Sequence, residues 1–247
     1  MTRQRPTPRL FFDIETIALS EVEEFLPEPK VDKRLKDQEQ AKVDKIAEMV
    51  ERAPLDPDLG SIRLISMQIG IDGSPTLILV PTKRLTKKRI AELGDLAAAG
   101  GSADNPGTLL VLSEYDAIQT FWGKLAICNG ACVGYNILGF DLPFLQRRSM
   151  DLGVQPGISP AVSKYRTEPV TDLMGILFNW SWGENIKKLK WLAKRYVIDI
   201  PAGEDDGSMV KDMTDEDLIK YGLSDLHVTV ELYKKMHGIY FNHFGGG

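Results

Sequence analysis

The sequence predicts a mixed α/β fold, in which a sheet of parallel and antiparallel strands is flanked by helices. The first observation is a β-branched and aromatic run at 9–14, followed by extended runs at 62–71 and 75–80 that an Asp72-Gly73 turn joins. The second is that later extended runs alternate with segments of helical periodicity. The third is that 247 residues with 43% hydrophobic content can build a sizeable core. We therefore expect a single domain spanning residues 1–247.

The first half of the chain is predicted to form an antiparallel meander with one insertion. Residues 9–14 form the first strand, and the hairpin of 62–71 and 75–80 supplies the next two. Between them, the charged segment 31–53 is predicted to be an inserted helix that ends before Pro54. The sequence leaves open whether this helix covers a cleft or packs on the rim of the sheet.

The second half is predicted to alternate strands with helices. Strands are expected at 108–112 and 131–135, and the Gly-rich stretch 98–107 is expected to be a loop. A helix should cover about 141–150, and a basic, amphipathic helix should cover about 187–195. The sheet is therefore expected to be mixed rather than purely antiparallel.

The last helix is predicted to carry a hydroxyl beside a carboxylate. Thr214 resembles a helix cap, and apolar residues then recur at helical spacing to about Lys235. Tyr221 and Asp225 are four residues apart on this helix, so they lie on one face, about one turn apart.

A pair of acids in the first strand points to a metal ion. Residues two apart in a strand project from the same face, so Asp13 and Glu15 should lie side by side. Two ionised carboxylates repel each other, which is costly unless a cation neutralises them. A divalent ion is the natural occupant of such a site.

A further acid is predicted at the edge of the sheet. Asp141 follows the strand at 131–135 and a Gly-containing turn that Asn136 opens, and it should lie near the start of a helix. Functional sites of α/β proteins collect where strands give way to helices.

In these motifs the chain resembles the DEDD, or DnaQ-like, 3'-5' exonuclease superfamily. The tyrosine subgroup fits, because the histidine subgroup would have His where this chain has Lys220. The spacing is similar to that of the proofreading domains of family B DNA polymerases and their free-standing relatives. The resemblance implies a ribonuclease H-like fold. The matching residues are Asp13 and Glu15 in the first motif, Asn136, Phe140 and Asp141 in the second, and Tyr221 and Asp225 in the third.

The resemblance also implies a mechanism that uses two divalent cations. Asp13 would contact both ions, Glu15 and Asp225 would hold the ion that activates water, and Asp141 would hold the ion at the leaving oxygen. Oxygen ligands without Cys or His favour Mg²⁺ or Mn²⁺. Tyr221 would orient the water, since an ordinary phenol keeps its proton at neutral pH. The expected substrate contacts are Thr16, Ile17, Asn136, Phe140 and Arg147, the last as a phosphate contact.

The charge distribution is compatible with a nucleic-acid substrate despite a net charge of -5. Residues 20–59 hold twelve acids and seven bases, so the rest of the chain is neutral overall. Two basic segments stand out, 83–89 and 187–195, and the second follows Trp180 and Trp182. Cations and exposed rings suit single-stranded nucleic acid. The lysines can equally be a solvated helix face and the tryptophans core, and the sequence does not choose.

The predicted function is removal of nucleotides from the 3' end of single-stranded DNA. An exoribonuclease of the same superfamily, a binding module without catalysis and a coincidence of surface acids remain as alternatives. We further expect a cytoplasmic monomer with no membrane association, and a DNA polymerase is a candidate partner in trans. Neither an apolar run of about eighteen residues nor a secretory leader is evident.

Three smaller predictions concern residues outside the motifs. Cys128 and Cys132 are expected to be buried free thiols, because no further Cys or nearby His completes a zinc site. Asp172 is expected to cap a helix. The acidic stretch 204–208 is expected to be an exposed loop, with an extra acid for the site as the alternative.

Overall fold

A six-stranded mixed sheet forms the centre of the molecule, and helices pack on both of its faces. The computed structural model describes residues 7–32, 34, 36–181, 183, 185–201 and 207–241. The strands are β1 (Leu10–Ala18), β2 (Gly60–Ile69), β3 (Thr76–Leu79), β4 (Thr108–Val111), β5 (Cys132–Gly134) and β6 (Val170–Asp172). Their order in the sheet is β4-β3-β2-β1-β5-β6. The predicted fold class is confirmed.

The described helices connect these strands, and a π-helical segment at His237–Phe241 follows the last of these helices. They are α1 (Val22–Phe25), α2 (Gln38–Arg52), α3 (Lys87–Ala99), α4 (Glu114–Ile127), α5 (Asp141–Leu152), α6 (Leu173–Leu177), α7 (Leu189–Arg195) and α8 (Asp215–Met236). Short 3-10 segments follow α2 at Ala53–Leu55 and precede α8 at Gly207–Asp212.

Strand β1 organises the sheet because both of its edges are paired. It runs antiparallel to β2 and parallel to β5, and β2 continues antiparallel into β3. Successive side chains of a strand point to opposite faces. Phe12 accordingly packs in the core that α4 and α5 cover, whereas Phe11 packs against α8 on the other face. Asp13 and Glu15 lie two and four residues after Phe11 in the same strand, so they point to the same face and project toward α8.

Most predicted elements are present, with shifted ends. Strand β1 extends beyond residue 14 because its second half pairs with the start of β2, after a bulge between Glu15 and Thr16. The inserted helix is shorter than the predicted 31–53, since Asp37 caps it by accepting a hydrogen bond from the Gln40 amide at 3.0 Å. Strand β6 was not predicted. It is only three residues long, too short for a periodic signal.

Two local predictions are confirmed. The Thr214 side chain caps α8 by accepting a hydrogen bond from the Asp217 amide at 3.2 Å. Cys128 and Cys132 are both buried and free. No helix in the described part of the chain is long and apolar enough to cross a bilayer.

Candidate metal centre

Three carboxylates from two elements form a compact cluster. Asp13 and Glu15 come from β1, and Asp225 comes from the middle of α8. Ligand atoms of all three lie within 4.8 Å of one another, close to the separation of oxygens that share one small divalent ion. Glu15 and Asp225 are buried, whereas Asp13 is partly open to a cleft.

Asp141 lies directly beside this cluster. It is the first residue of α5, its side chain is buried, and it accepts a hydrogen bond from the Ile14 amide at 3.1 Å. Ile14 separates Asp13 from Glu15, so this bond joins Asp141 to the same short segment of β1. Burial raises the pKa of Asp141 to about 7, although the hydrogen bond from Ile14 acts in the opposite direction. The structure thus brings all four predicted carboxylates together.

The electrostatics of the site favour a bound cation. Burial raises the pKa of Asp13 well above its usual value, and the charges of Glu15, Asp141 and Asp225 raise it further. Burial and neighbouring carboxylates likewise raise the pKa of Glu15. Among the described residues, Asp225 Oδ1 is buried without a hydrogen-bond partner. A buried acceptor and repelling carboxylates are both satisfied by a divalent ion. The residues present therefore fit a metal site.

Helix α8 comes close enough to the sheet to deliver Asp225 because it carries a glycine at the contact. A Cβ atom at Gly222 would lie 2.3 Å from Ser66 Oγ and 2.5 Å from a methyl carbon of Leu64. Both contacts are residues of β2, the strand next to β1. Because Gly222 has no side chain, α8 can pack closely enough on the sheet to bring Tyr221 and Asp225 near the acids of β1.

Tyr221 lies beside the cluster and lines the same cleft. Its ring is buried and its hydroxyl is in the environment of Asp225, Glu15 and Asp13. Burial and these three negative charges raise the pKa of Tyr221 above its ordinary value. The phenol therefore keeps its proton throughout the physiological range and can donate a hydrogen bond.

Lys190 is a member of the site that sequence reasoning did not place there. Its Nζ lies 3.7 Å from Asp225 Oδ1 and 3.9 Å from the centroid of the Tyr221 ring. This ammonium lowers the pKa of Asp225, against the larger effect of burial, which raises it. The only sequence signal was the basic segment 187–195, which does not indicate which lysine reaches the acids.

The cluster opens into a cleft of about 1060 Å³. One wall is basic and aromatic and comes from α7 and the residues before it, and the end of α2 forms another. The inserted helix therefore lies at the cleft rather than away from it. Trp191 is 48% exposed, and Lys187 Nζ lies 5.7 Å from the centroid of its ring. Described residues lining these two walls include Glu51, Arg52, Pro54, Leu55, Lys187, Lys188, Lys190, Trp191 and Lys194.

Two of the five predicted substrate contacts line the cleft. The Thr16 hydroxyl donates a hydrogen bond to the Pro54 carbonyl at 2.6 Å, which ties β1 to the segment after α2. Asn136 has a positive φ of 64°, and its buried Oδ1 has no hydrogen-bond partner among the described residues.

The other three predicted contacts lie outside the described lining of the cleft. Ile17 packs against the apolar cluster beneath α3 and α8. Phe140 packs on Phe144, with ring centroids 5.5 Å apart. Arg147 forms an ion pair with Asp58.

A buried carboxylate holds the turn that carries Asn136. Asp172 caps α6, as predicted, by accepting a hydrogen bond from the Gly175 amide at 3.0 Å. It also accepts from the amides of Asn136 at 3.1 Å and Leu138 at 3.0 Å. Sequence reasoning missed this second role, because nothing local links Asp172 to a turn 36 residues earlier. The acidic stretch 204–208 and Trp182 lie outside the described side chains.

No protein-family model matches the chain, and no curated protein matches it by sequence. Solved structures do match, among them the family B DNA polymerase from the hyperthermophilic archaeon Pyrobaculum calidifontis. The TM-score is 0.53 at 17% sequence identity, and the match covers 94% of this chain. The chain spans about a quarter of the polymerase, 25% of its length. At this level of identity the likeness shows a shared fold.

Proposed function

We propose that the chain is a metal-dependent 3'-5' exonuclease that hydrolyses single-stranded DNA from its 3' end. The observation that carries this proposal is the meeting of Asp13, Glu15, Asp225 and Asp141. Asp13 and Asp225 also line a cleft with a basic and aromatic wall. The shared fold with a DNA polymerase supports action on nucleic acid.

The carboxylates would hold divalent cations through oxygen atoms alone, a ligand set that Mg²⁺ and Mn²⁺ prefer. Asp13 lines the cleft and interacts with the other three acids, so it is suited to contact every ion held there. Glu15, Asp225 and Asp141 would supply the remaining carboxylate ligands. Bound divalent ions would supply charge stabilisation and an acidified water for phosphodiester hydrolysis.

Tyr221 would position the attacking water. Its hydroxyl stays protonated beside Asp225, so it acts as a hydrogen-bond donor rather than a base. The Lys190 Nζ atom lies against the same carboxylate and ring.

The strand would enter along α7. Lysine side chains on this wall match the phosphates, and the exposed face of Trp191 offers a surface on which a base can stack. Because a terminal nucleotide must leave its partner to enter the cleft, paired ends should react more slowly than single strands.

Digestion of end-labelled oligonucleotides tests the proposal. Single-stranded DNA labelled at the 5' or the 3' end is incubated with Mg²⁺ or with EDTA, beside a matched RNA strand at the same salt concentration. We expect a Mg²⁺-dependent ladder from the 5'-labelled strand and immediate release of label from the 3'-labelled one. Release from the 5' terminus first, cutting of a circular single strand, or activity in EDTA would overturn the proposal. Preferred digestion of RNA would reassign the sugar specificity.

A further inference from the structure

A second groove, of about 510 Å³, lies beside the loop that precedes α3 and the start of α8. Its lining includes Lys83, Arg84 and Arg89 from the basic segment 83–89. The catalytic site proposed above makes no use of this segment.

Ion pairs fix the two walls of this groove. Arg63 is buried and donates hydrogen bonds to the Val80 carbonyl and the Asp215 carboxylate, so it joins the end of β3 to the start of α8. Arg89 pairs with Glu216, with 2.7 Å between Nη1 and Oε1. Asp215 and Glu216, two of the three acids in the first turn of α8, are therefore already paired with cations within the protein.

Further cations lie in the groove and next to it. Lys83 and Arg84 line the groove, and Lys87 follows at the start of α3. All three are exposed, and none of them forms an ion pair with a described residue. Lys87 also lies in the first turn of α3, where the helix dipole disfavours positive charge. These exposed positive charges match an anionic partner.

The groove and the cleft are lined by neighbouring parts of one short stretch of chain. Val210 and Lys211 line the cleft, and Met213 to Asp215, two to four residues after Lys211, line the groove. Asp215 is also on the helix that carries Tyr221, six residues earlier, which corresponds to about 9 Å along the helix axis. At a rise of about 3.4 Å per stacked nucleotide, that distance equals roughly three nucleotides.

We propose that this groove binds the phosphodiester backbone of the substrate strand several nucleotides upstream of the 3' end held in the cleft. The inference rests on the proposed exonuclease function and adds a second, sequence-independent contact to it. Lys83, Arg84 and Lys87 supply the contacts, while Arg63 and Arg89 hold the walls. Strands long enough to reach the groove therefore bind more tightly than strands that fill only the cleft.

The test compares the triple variant Lys83→Ala, Arg84→Ala, Lys87→Ala with a matched control. The control, Lys124→Ala, Arg166→Ala, Lys235→Ala, removes the same charge from residues that line neither the groove nor the cleft. Binding of a twelve-nucleotide oligothymidine is measured in EDTA between 50 and 200 mM salt, and digestion of this strand and of a trinucleotide is measured with Mg²⁺. Thermal unfolding verifies that both variants fold.

We expect the groove variant to lose about two units of slope in log K against log salt, since each contact to a single strand contributes about 0.7. Its affinity for the long strand should fall on the order of 10- to 100-fold at 0.1 M salt, and digestion of the trinucleotide should be unchanged. Equal slopes in the two variants, while the wild type digests DNA normally, would overturn the groove assignment alone. A wild-type protein without nuclease activity would overturn the proposed function itself.

Discussion

At the scale of single residues, the site brings together carboxylates whose negative charges repel one another when no metal ion is bound. Burial and three neighbouring carboxylates raise the pKa of Asp13. The Oδ1 atom of Asp225 is buried and accepts no hydrogen bond from a described residue. These features cost stability, so they identify side chains whose placement serves a bound ligand rather than the fold.

Replacing Asp13 should lower the nuclease activity without lowering the stability of the fold. We expect Asp13→Asn to lower the digestion rate more than about 100-fold, because Asp13 interacts with the other three proposed ligands and metal ions contribute several kcal/mol to such reactions. The same change removes a repelling charge, so the melting temperature in EDTA should stay equal or rise. Asp95→Asn, an exposed acid on α3, is the control and should change neither quantity. A strongly destabilised Asp13→Asn protein would contradict this account of the site.

Replacing Tyr221 should affect the chemical step more than the metal. We expect Tyr221→Phe to lower the single-turnover rate by roughly 10- to 1,000-fold, the range of an orienting hydrogen bond, with Mg²⁺ affinity nearly unchanged. Tyr233→Phe, a buried tyrosine on the same helix but outside the cleft, serves as the control and should keep its activity. Full activity in Tyr221→Phe would remove this hydroxyl from the mechanism.

At the scale of elements, the site depends on how closely α8 approaches the sheet. Strand β1 presents Asp13 and Glu15 toward α8, and Gly222 removes the side chain that would hold the helix away from β2. Two other helical glycines, Gly94 in α3 and Gly123 in α4, have open space where a Cβ would lie.

This contrast gives a matched pair of substitutions. Gly94→Ala should stabilise the protein by about 0.5 to 1 kcal/mol, because alanine is the better helix former and meets no obstacle. Gly222→Ala gains the same propensity but must push Ser66 and Leu64 aside, and overpacking costs about 1 to 3 kcal/mol. We expect the Gly222→Ala variant to lose up to about 2 kcal/mol of unfolding free energy, measured by denaturant unfolding, and to have reduced nuclease activity. Equal stabilisation by both substitutions would show that the contact at Gly222 relaxes freely.

At the scale of the whole molecule, proton binding at the site should couple to folding. Asp141 has an ordinary pKa of 3.8, which burial raises to about 7 in the folded protein. Between these values the native state binds more protons than the unfolded state, so stability decreases as pH rises through this window. Divalent cations bind the ionised carboxylates and should restore the lost stability.

Melting curves across pH test this coupling. In EDTA, the melting temperature of the wild-type protein should fall between about pH 4 and 7 relative to that of the Asp141→Asn variant. The Asn side chain cannot titrate in this range but keeps an oxygen that accepts the hydrogen bond from the Ile14 amide. Added Mg²⁺ should raise the melting temperature of the wild type more at pH 8 than at pH 5. Parallel pH profiles of the two proteins would exclude Asp141 as the coupled group.

The sequence by itself determined the element types and the acids of the site. Periodicity fixed β1 and α8, and spacing put Asp13 beside Glu15 and Tyr221 beside Asp225, because residues two apart in a strand or four apart in a helix share a face. These are short-range relations, and they hold whatever the rest of the chain does. The same periodicity missed β6, which is too short to show it.

Only the tertiary structure decided which distant groups meet. It brought Lys190 to Asp225 across 35 residues and Asp172 to the Asn136 turn across 36, and it directed Arg147 to Asp58. It also set the end of α2 against the cleft, which the sequence had left open. Such contacts depend on how whole elements pack, because no local pattern records the partner that a long side chain reaches across the sheet.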